Sequence, residues 1–227
     1  MIIFYQRKAD DVMLASVLKH YNPNAIIREY EDNSDVLRIS KIHRESNFIR
    51  VSDYKSAIMK TYKCPRWIND ELKKRFIELL LCHKNIDTNK LVEFLSENLF
   101  FPELVFFDYT DASVEYKSMV AEVVNELEAF RRLSAPFLKN KIIFYDINPE
   151  HNIMEVFAKS KAEEIDAGFV VLCGDKAIVM NAKDLGFQKE MARISRFDAF
   201  RLRRKIKILK VKRNKVIKTI AKTIYEF

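Results

Sequence analysis

Ile2-Ile3-Phe4-Tyr5-Gln6-Arg7-Lys8-Ala9-Asp10-Asp11 opens the chain, and how this stretch is read decides the fold. Four consecutive apolar residues followed by polar ones read as a buried strand. A short polar loop follows, and Asp10 or Asp11 is placed to cap a helix carrying Val12, Leu14, Ala15 and Leu18. Asn22-Pro23-Asn24 breaks that helix. Residues 25–30, 36–40 and 47–51 are three further strand candidates, rich in Ile and Val. Strand, helix, strand in this order implies a right-handed crossover and a mostly parallel sheet, hence an α/β fold.

Working outward, residues 55–62, 68–83 and 88–99 show the i, i+3, i+4 apolar spacing of helices, the second through Leu72, Phe76, Leu79 and Leu80. Residues 104–107 read as an apolar strand ending at Asp108. A long helix from 113 to about 133 halts before Pro136. Residues 141–146 read as a strand and 150–165 as a helix. Residues 168–173 and 176–180 form a hairpin around Gly174-Asp175, and 184–194 is a last helix. The tail, 201–220, alternates basic and apolar residues (Lys205-Ile206-Lys207-Ile208) with a turn candidate at Arg213-Asn214-Lys215, which favours a hairpin over a helix. The expected organisation is a main domain over 1–135, a small α/β accessory domain over 140–195 and a basic segment over 196–227.

The 227 residues suffice for a sizeable core, and 48% apolar with 32% charged residues describes a soluble globular chain. Glycine is scarce: Gly168, Gly174 and Gly186 are the only three, where ordinary usage gives roughly fifteen. A Walker loop, a dinucleotide-binding turn and a nucleophile elbow all need glycines where backbone approaches phosphate or turns sharply. None can be assembled, so no nucleotide cofactor is expected. Three widely spaced cysteines (Cys64, Cys82, Cys173) suit a reducing compartment. The N-terminus turns charged after five residues, and no apolar run approaches the ~20 residues of a membrane span. A cytoplasmic protein without membrane contact is the expectation. The four histidines (His20, His43, His83, His151) lack ligand-type spacing. Cys64 with Cys82-His83 falls short of the four paired ligands of structural zinc.

The net charge of +8 is uneven. From 193 to 227 there are 13 Lys/Arg against Asp198 and Glu226, so the rest of the chain is slightly acidic. Arg201, Arg203, Arg204, Lys205, Lys207, Lys210, Lys212, Arg213 and Lys215 form a stripe suited to nucleic acid or an acidic protein surface. Anionic lipid fits less well, because the tail has no bulky aromatic between Phe200 and Tyr225. Tyr62, Trp67 and Phe76 among Lys60, Lys63, Arg66, Lys73, Lys74 and Arg75 have two readings. One is a surface that stacks single-stranded nucleic acid; the other is a helix with one buried and one solvated face.

The opening strand, loop and helix resemble the start of the DHH superfamily of phosphoesterases, which includes the RecJ nucleases. There a strand precedes H-x-D-A-D-G. Here Gln6 stands at the metal-binding His, Lys8 at the first Asp and Asp11 at the Gly, while Ala9 and Asp10 are retained. Ser52-Asp53-Tyr54-Lys55-Ser56-Ala57 resembles the family's D-H-H followed by K-S-A. Arg38, in Leu37-Arg38-Ile39-Ser40, falls near the Asp of its V-D-x-S strand, and Asp108 matches a later strand-end Asp. Helix, hairpin and helix over 153–194 follow the order of the family's accessory domain. Its G-G-G-H is replaced by Ser195-Arg196-Phe197-Asp198. The resemblance covers about residues 1–195.

Family members hydrolyse phosphodiesters with two divalent cations, and hard cations need several oxygen ligands close together. The ligand positions here carry Gln6, Lys8, Asp10, Arg38, Ser52, Asp53, Tyr54 and Asp108. Fixed cations at Lys8 and Arg38 oppose metal binding, so the resemblance implies no catalytic residue and no metal. An alternative role for Lys8 and Arg38 is to bind a nucleic-acid phosphate. The bland reading makes Gln6, Lys8 and Asp11 a solvated loop and Asp10 a helix cap. With these replacements the chain resembles the inactive RecJ-like component of the archaeal replicative helicase assembly, and that resemblance implies association with GINS and through it MCM at the nucleoid; the basic tail adds single-stranded DNA as a candidate partner by its charge. Two rivals stay open: a divergent phosphoesterase rebuilt from Asp10, Asp53, Asp108 and Asp111, and a free-standing nucleic-acid-binding module.

Overall fold

The structure, a computed structural model, describes residues 1–42, 47–133, 137–139, 142–165, 168–173, 176–180 and 206–210. Two compact units, Met1–Val123 and Val124–Phe227, divide the chain.

The first unit is built on β1 (Ile2–Tyr5), α1 (Ala9–Tyr21), β2 (Ile26–Glu29), α2 (Asn33–Ile42), β3 (Phe48–Arg50) and α3 (Val51–Thr61). The three strands form a parallel sheet in the order β2-β1-β3, with Ile2 opposite both Ile26 and Phe48. Alternation sends the side chains of Ile2 and Phe4 to one face and those of Ile3 and Tyr5 to the other. Both pairs are buried. Ile2 and Phe4 join Tyr30 and Val36 beneath α2, while Ile3 and Tyr5 enter the main core with α1. α1 is buried along most of its surface, because α3, α4 (Glu71–Cys82) and α5 (Thr88–Glu97) enclose it. The Asp70 carboxylate accepts from the Leu72 and Lys73 amides to start α4, and Asp87 does the same for Asn89 and Lys90 at α5. α6 (Pro102–Phe106) and α7 (Asp111–Leu133) complete the helices of this region.

The sheet and most helices match the sequence reading; three features differ. Residues 36–40 belong to α2 rather than to a strand. Asp32 Oδ1 accepts from the amides of Ser34 (2.7 Å) and Asp35 (3.3 Å), starting a helix whose i, i+3 pair Val36 and Ile39 covers the sheet. Residues 104–107 lie at α6 and its end rather than in a strand, since Pro102 at the first helical position pre-sets the turn. A four-residue apolar run cannot separate these alternatives by periodicity. In α4 the buried stripe is Ile77, Leu80 and Leu81, with Phe76 half-buried, while Leu72 is 83% exposed.

The second unit holds a five-stranded mixed sheet in the order β4-β5-β6-β7-β8, from β4 (Phe137–Lys139), β5 (Ile142–Asp146), β6 (Phe169–Cys173), β7 (Lys176–Met180) and β8 (Ile206–Lys210). β5 and β6 are parallel and joined through α8 (Met154–Glu164); β6 and β7 form the antiparallel hairpin read from the sequence. β8 pairs antiparallel with β7, so the alternating basic–apolar tail does supply a strand. The helix expected at 184–194 and the second arm of the tail hairpin lie outside the described residues. Around Tyr145, the Phe157 and Phe169 rings pack edge-on at 5.6 and 5.9 Å. Among the described residues no helix is long and apolar enough to cross a membrane.

The core assignment predicts a sharp contrast. Leu80→Ala, at a fully buried side chain of α4, lowers urea-derived stability by about 2–5 kcal/mol. Leu72→Ala stays within about 0.5 kcal/mol, and equal losses would refute the orientation of α4.

Candidate functional site

In an open parallel sheet, ligands meet the carboxyl ends of the strands. Gln6, Lys8, Asp10, Ser52, Asp53 and Tyr54 all lie there, on the β1–α1 loop, the first turn of α1 and the first turn of α3. Arg38 and Asp108 do not join them. Arg38 is an exposed side chain of α2, paired with Asp35 at 3.5 Å, because its segment is helical. Asp108 follows α6 and pairs with Lys117 at 2.9 Å.

Within the cluster the contacts are specific. Lys8 Nζ donates to Gln6 Oε1 at 2.6 Å and is exposed, so its ammonium does not occupy the centre of the site. The centre belongs to Lys55, which the sequence presents only as part of Lys55-Ser56-Ala57. Its Nζ stands 2.6 Å from Asp11 Oδ1 and 3.9 Å from Asp10 Oδ2. Asp11 is only 1% exposed, far from a solvated loop residue. Its Oδ2 accepts from the Gln6 amide at 3.3 Å, and its Oδ1 meets Lys55 as an ion pair rather than an aligned hydrogen bond. Asp10 is not the helix cap. The cap position is Lys8, with no side-chain hydrogen bond, and Asp10 lies inside the first turn. Asp10 Oδ1 pairs with Lys74 of α4 at 3.0 Å, and this hydrogen bond holds the Lys74 ammonium above the ordinary lysine range.

The β3–α3 junction is similarly self-satisfied. Arg50 pairs with Asp53 at 2.7 Å. Ser52 Oγ donates to Asp53 Oδ1 at 3.1 Å and lies 2.9 Å from the Tyr30 hydroxyl, which then donates to Ser52. Tyr54 has φ −124° and ψ 16°, a kink in α3 that leaves its ring exposed. Behind the loop, the buried Tyr5 hydroxyl lies 3.0 Å from Thr88 Oγ1 and 2.9 Å from Asn89 Oδ1, and Thr88 donates to Glu29. Burial pushes the Tyr5 hydroxyl up from the ordinary tyrosine range.

This donor set does not fit the pair of divalent ions that hydrolytic members of the resembled family use. Asp10, Asp11 and Asp53 are already matched to Lys74, Lys55 and Arg50. Among the described residues no three of these carboxylates gather around one point. A divalent ion about 4 Å from an ammonium meets roughly 8 kcal/mol of repulsion at an effective dielectric near 20.

The other candidates resolve as structure. Trp67 is buried and donates to the Leu99 carbonyl at 2.6 Å, and Phe106 packs between Trp67 and Phe76 at 5.5 Å from each. Lys73, Lys74 and Arg75 pair with Asp70, Asp10 and Glu78. The basic–aromatic segment therefore has one buried and one solvated face. Burial pushes the Cys64 thiol up, Cys82 donates to the Glu78 carbonyl, and His83 Nδ1 accepts from the Asn85 amide. Among the described residues Cys64 and Cys82 do not gather with His83 into a three-ligand group. At the far end of α1 an open cleft of about 640 Å³ is lined by Lys19, His20, Pro23, Glu93, Ser96 and Glu97. Lys19 spends its ammonium on the Pro23 and Ala25 carbonyls, and His20 bonds the Ser96 carbonyl. Of the tail cations, Lys207 and Lys210 lie on β8; Arg201, Arg203, Arg204, Lys205, Lys212, Arg213 and Lys215 lie outside the described residues.

No family model matches the chain, and no curated protein matches it. Among solved structures it is similar to RecJ from Thermus thermophilus, crystallised in complex with Mn2+, at a TM-score of 0.36 and 10% sequence identity. The match covers 79% of this chain and 44% of that RecJ chain, so this protein spans less than half of its length.

The ion pairs predict unequal costs. Lys55→Met leaves the buried Asp11 carboxylate without its cation, and lowers stability by about 1–3 kcal/mol. Lys74→Met, opposite the half-exposed Asp10, costs under about 1 kcal/mol. Equal losses in chemical denaturation would show that Asp11 does not depend on Lys55.

Proposed function

We propose that this protein is a non-hydrolytic RecJ-like scaffold of the DNA replication machinery. It associates with GINS, and through GINS with the MCM helicase, in the cytoplasm at the nucleoid. The observation that carries the reading is Lys55: one ammonium faces both Asp10 and Asp11 at the strand ends, where hydrolysis in the resembled family requires divalent cations. The basic tail supports a nucleic-acid contact by its charge, since thirteen cations in one short segment repel each other unless an anion is near. The fold supplies rigid elements around a neutralised strand edge, which suits a binding component better than a hydrolase.

Two measurements test this. Affinity capture of the full chain from a native extract recovers GINS and MCM subunits; recovery of nucleic acid alone would replace the scaffold with a free-standing binding module. With the protein in stoichiometric excess and Mn2+ present, single-stranded DNA stays intact. Metal-dependent cleavage that disappears on Asp10→Asn would instead establish the divergent phosphoesterase.

The tail contact has its own readout. Replacing Lys205, Lys207, Lys210 and Lys212 by Gln reduces the slope of log affinity for single-stranded DNA against log salt by about 3. An unchanged slope would remove the tail from the DNA interface.

A further inference from the structure

We propose that the surface formed by the end of α6, the turn after it and the start of α7 docks a basic, aliphatic segment of another protein. Phe107, Tyr109 and Val114 are 56%, 69% and 50% exposed. The two rings lie 6.3 Å apart at a 56° tilt. Isolated exposed apolar side chains are ordinary on a soluble protein, whereas here two exposed aromatic rings adjoin one another, with exposed Val114 one turn into the following helix.

The charge around this patch selects the partner. Glu103, Asp108, Asp111 and Glu115 flank these residues in the sequence; the nearby cations are Lys117, paired with Asp108, and Lys73, which lies over the Phe106 ring and pairs with Asp70. Phe107 follows α6 and its amide donates to the Glu103 carbonyl at 3.1 Å; Asp111, Val114 and Glu115 share one side of α7 by i, i+3, i+4 spacing. Among the described residues no lysine or arginine pairs with Glu103, Asp111 or Glu115. A polyanion is repelled here, and a neutral apolar partner would leave these carboxylates beside its interface uncompensated.

Lys117 shows on a small scale how a partner cation binds. Its Nζ stands 5.9 Å over the Phe107 ring and 2.9 Å from Asp108 Oδ1, a cation held by a ring face and a carboxylate together. A segment alternating Lys or Arg with Leu or Ile repeats that contact along the surface. Its aliphatic side chains cover Tyr109 and Val114, and its cations reach Glu103, Asp111 and Glu115. The inference is independent of the scaffold reading: it concerns a charge of opposite sign and residues other than those of the tail.

The test uses the full chain and a fluorescein-labelled synthetic peptide of alternating lysine and leucine, followed by anisotropy at physiological salt. Control peptides alternate lysine with serine and glutamate with leucine. The Lys–Leu peptide is expected to bind at least about tenfold more tightly than either control, a difference of about 1.4 kcal/mol. Phe107→Ser with Tyr109→Ser weakens it by at least about tenfold, and Asp111→Lys with Glu115→Lys does the same. Leu72→Ser, at an exposed apolar residue elsewhere, leaves binding unchanged. These side chains are solvent-facing, and unchanged circular dichroism and melting confirm that the variants fold. Absence of binding, equal binding of the Glu–Leu peptide, or loss on charge reversal but not on aromatic removal would each overturn the proposal, the last by reducing it to diffuse attraction.

Discussion

The pairing of Asp11 with Lys55 is the contact on which the first unit depends. A carboxylate with almost no solvent contact cannot stay ionised without a partner close by. Asp11 receives one from α3 and a backbone donor from Gln6, just past the end of β1. Since β1 and β3 are parallel neighbours, α1 and α3 begin at the same edge of the sheet. A pair between their first two turns, buried at Asp11 and partly exposed at Lys55, ties the starts of both helices together. It also joins them without the strand-end glycines on which many α/β folds rely at that edge.

The same contact sets the chemistry of the edge. Helix N-termini carry partial positive charge, and here that charge is met from within by Asp10 and Asp11, which are in turn met by Lys55 and Lys74. Arg50 and Asp53 repeat the arrangement at α3. Acids and bases balance locally, with hydroxyls from Ser52 and Tyr30 closing the remaining donor and acceptor positions. A hydrolytic centre needs the reverse, an excess of oxygen ligands held together at an energetic cost that metals then offset. This internal balance is the physical ground for reading the strand ends as a binding scaffold.

Much of this is legible in the sequence because period and length agree. Ile2–Tyr5 is too short for a buried helix, and Asn22-Pro23-Asn24 ends α1 where the pattern says it should. Where period and length disagree, local capping decides, and the apolar pattern alone misleads. Val36–Ile39 and Leu104–Phe107 are apolar enough for strands, yet Asp32 and Pro102 start helices just before them. The site reading suffers by the same route, since Arg38 and Asp108 belong to strand ends only if those strands exist. Lys55 escapes the sequence for a different reason. Its role depends on a buried acid far upstream, and nothing in spacing distinguishes a buried Asp11 from the exposed Asp10 beside it. Only helix geometry does, by turning one carboxylate inward and the other toward α4.

Charge is segregated along the chain as well as balanced within the site. The stretch from 91 to 122 is strongly acidic and bears exposed aromatics, whereas 193–227 is strongly basic. Exposed charges act over about 8 Å at physiological salt, so each segment selects its own neighbour by local sign. A polyanion suited to the tail is repelled from Phe107 and Tyr109, and a cationic peptide suited to that patch is repelled from the tail. Under the two proposals above, segments of opposite sign on one chain would recruit different classes of molecule, since each repels the ligand that suits the other.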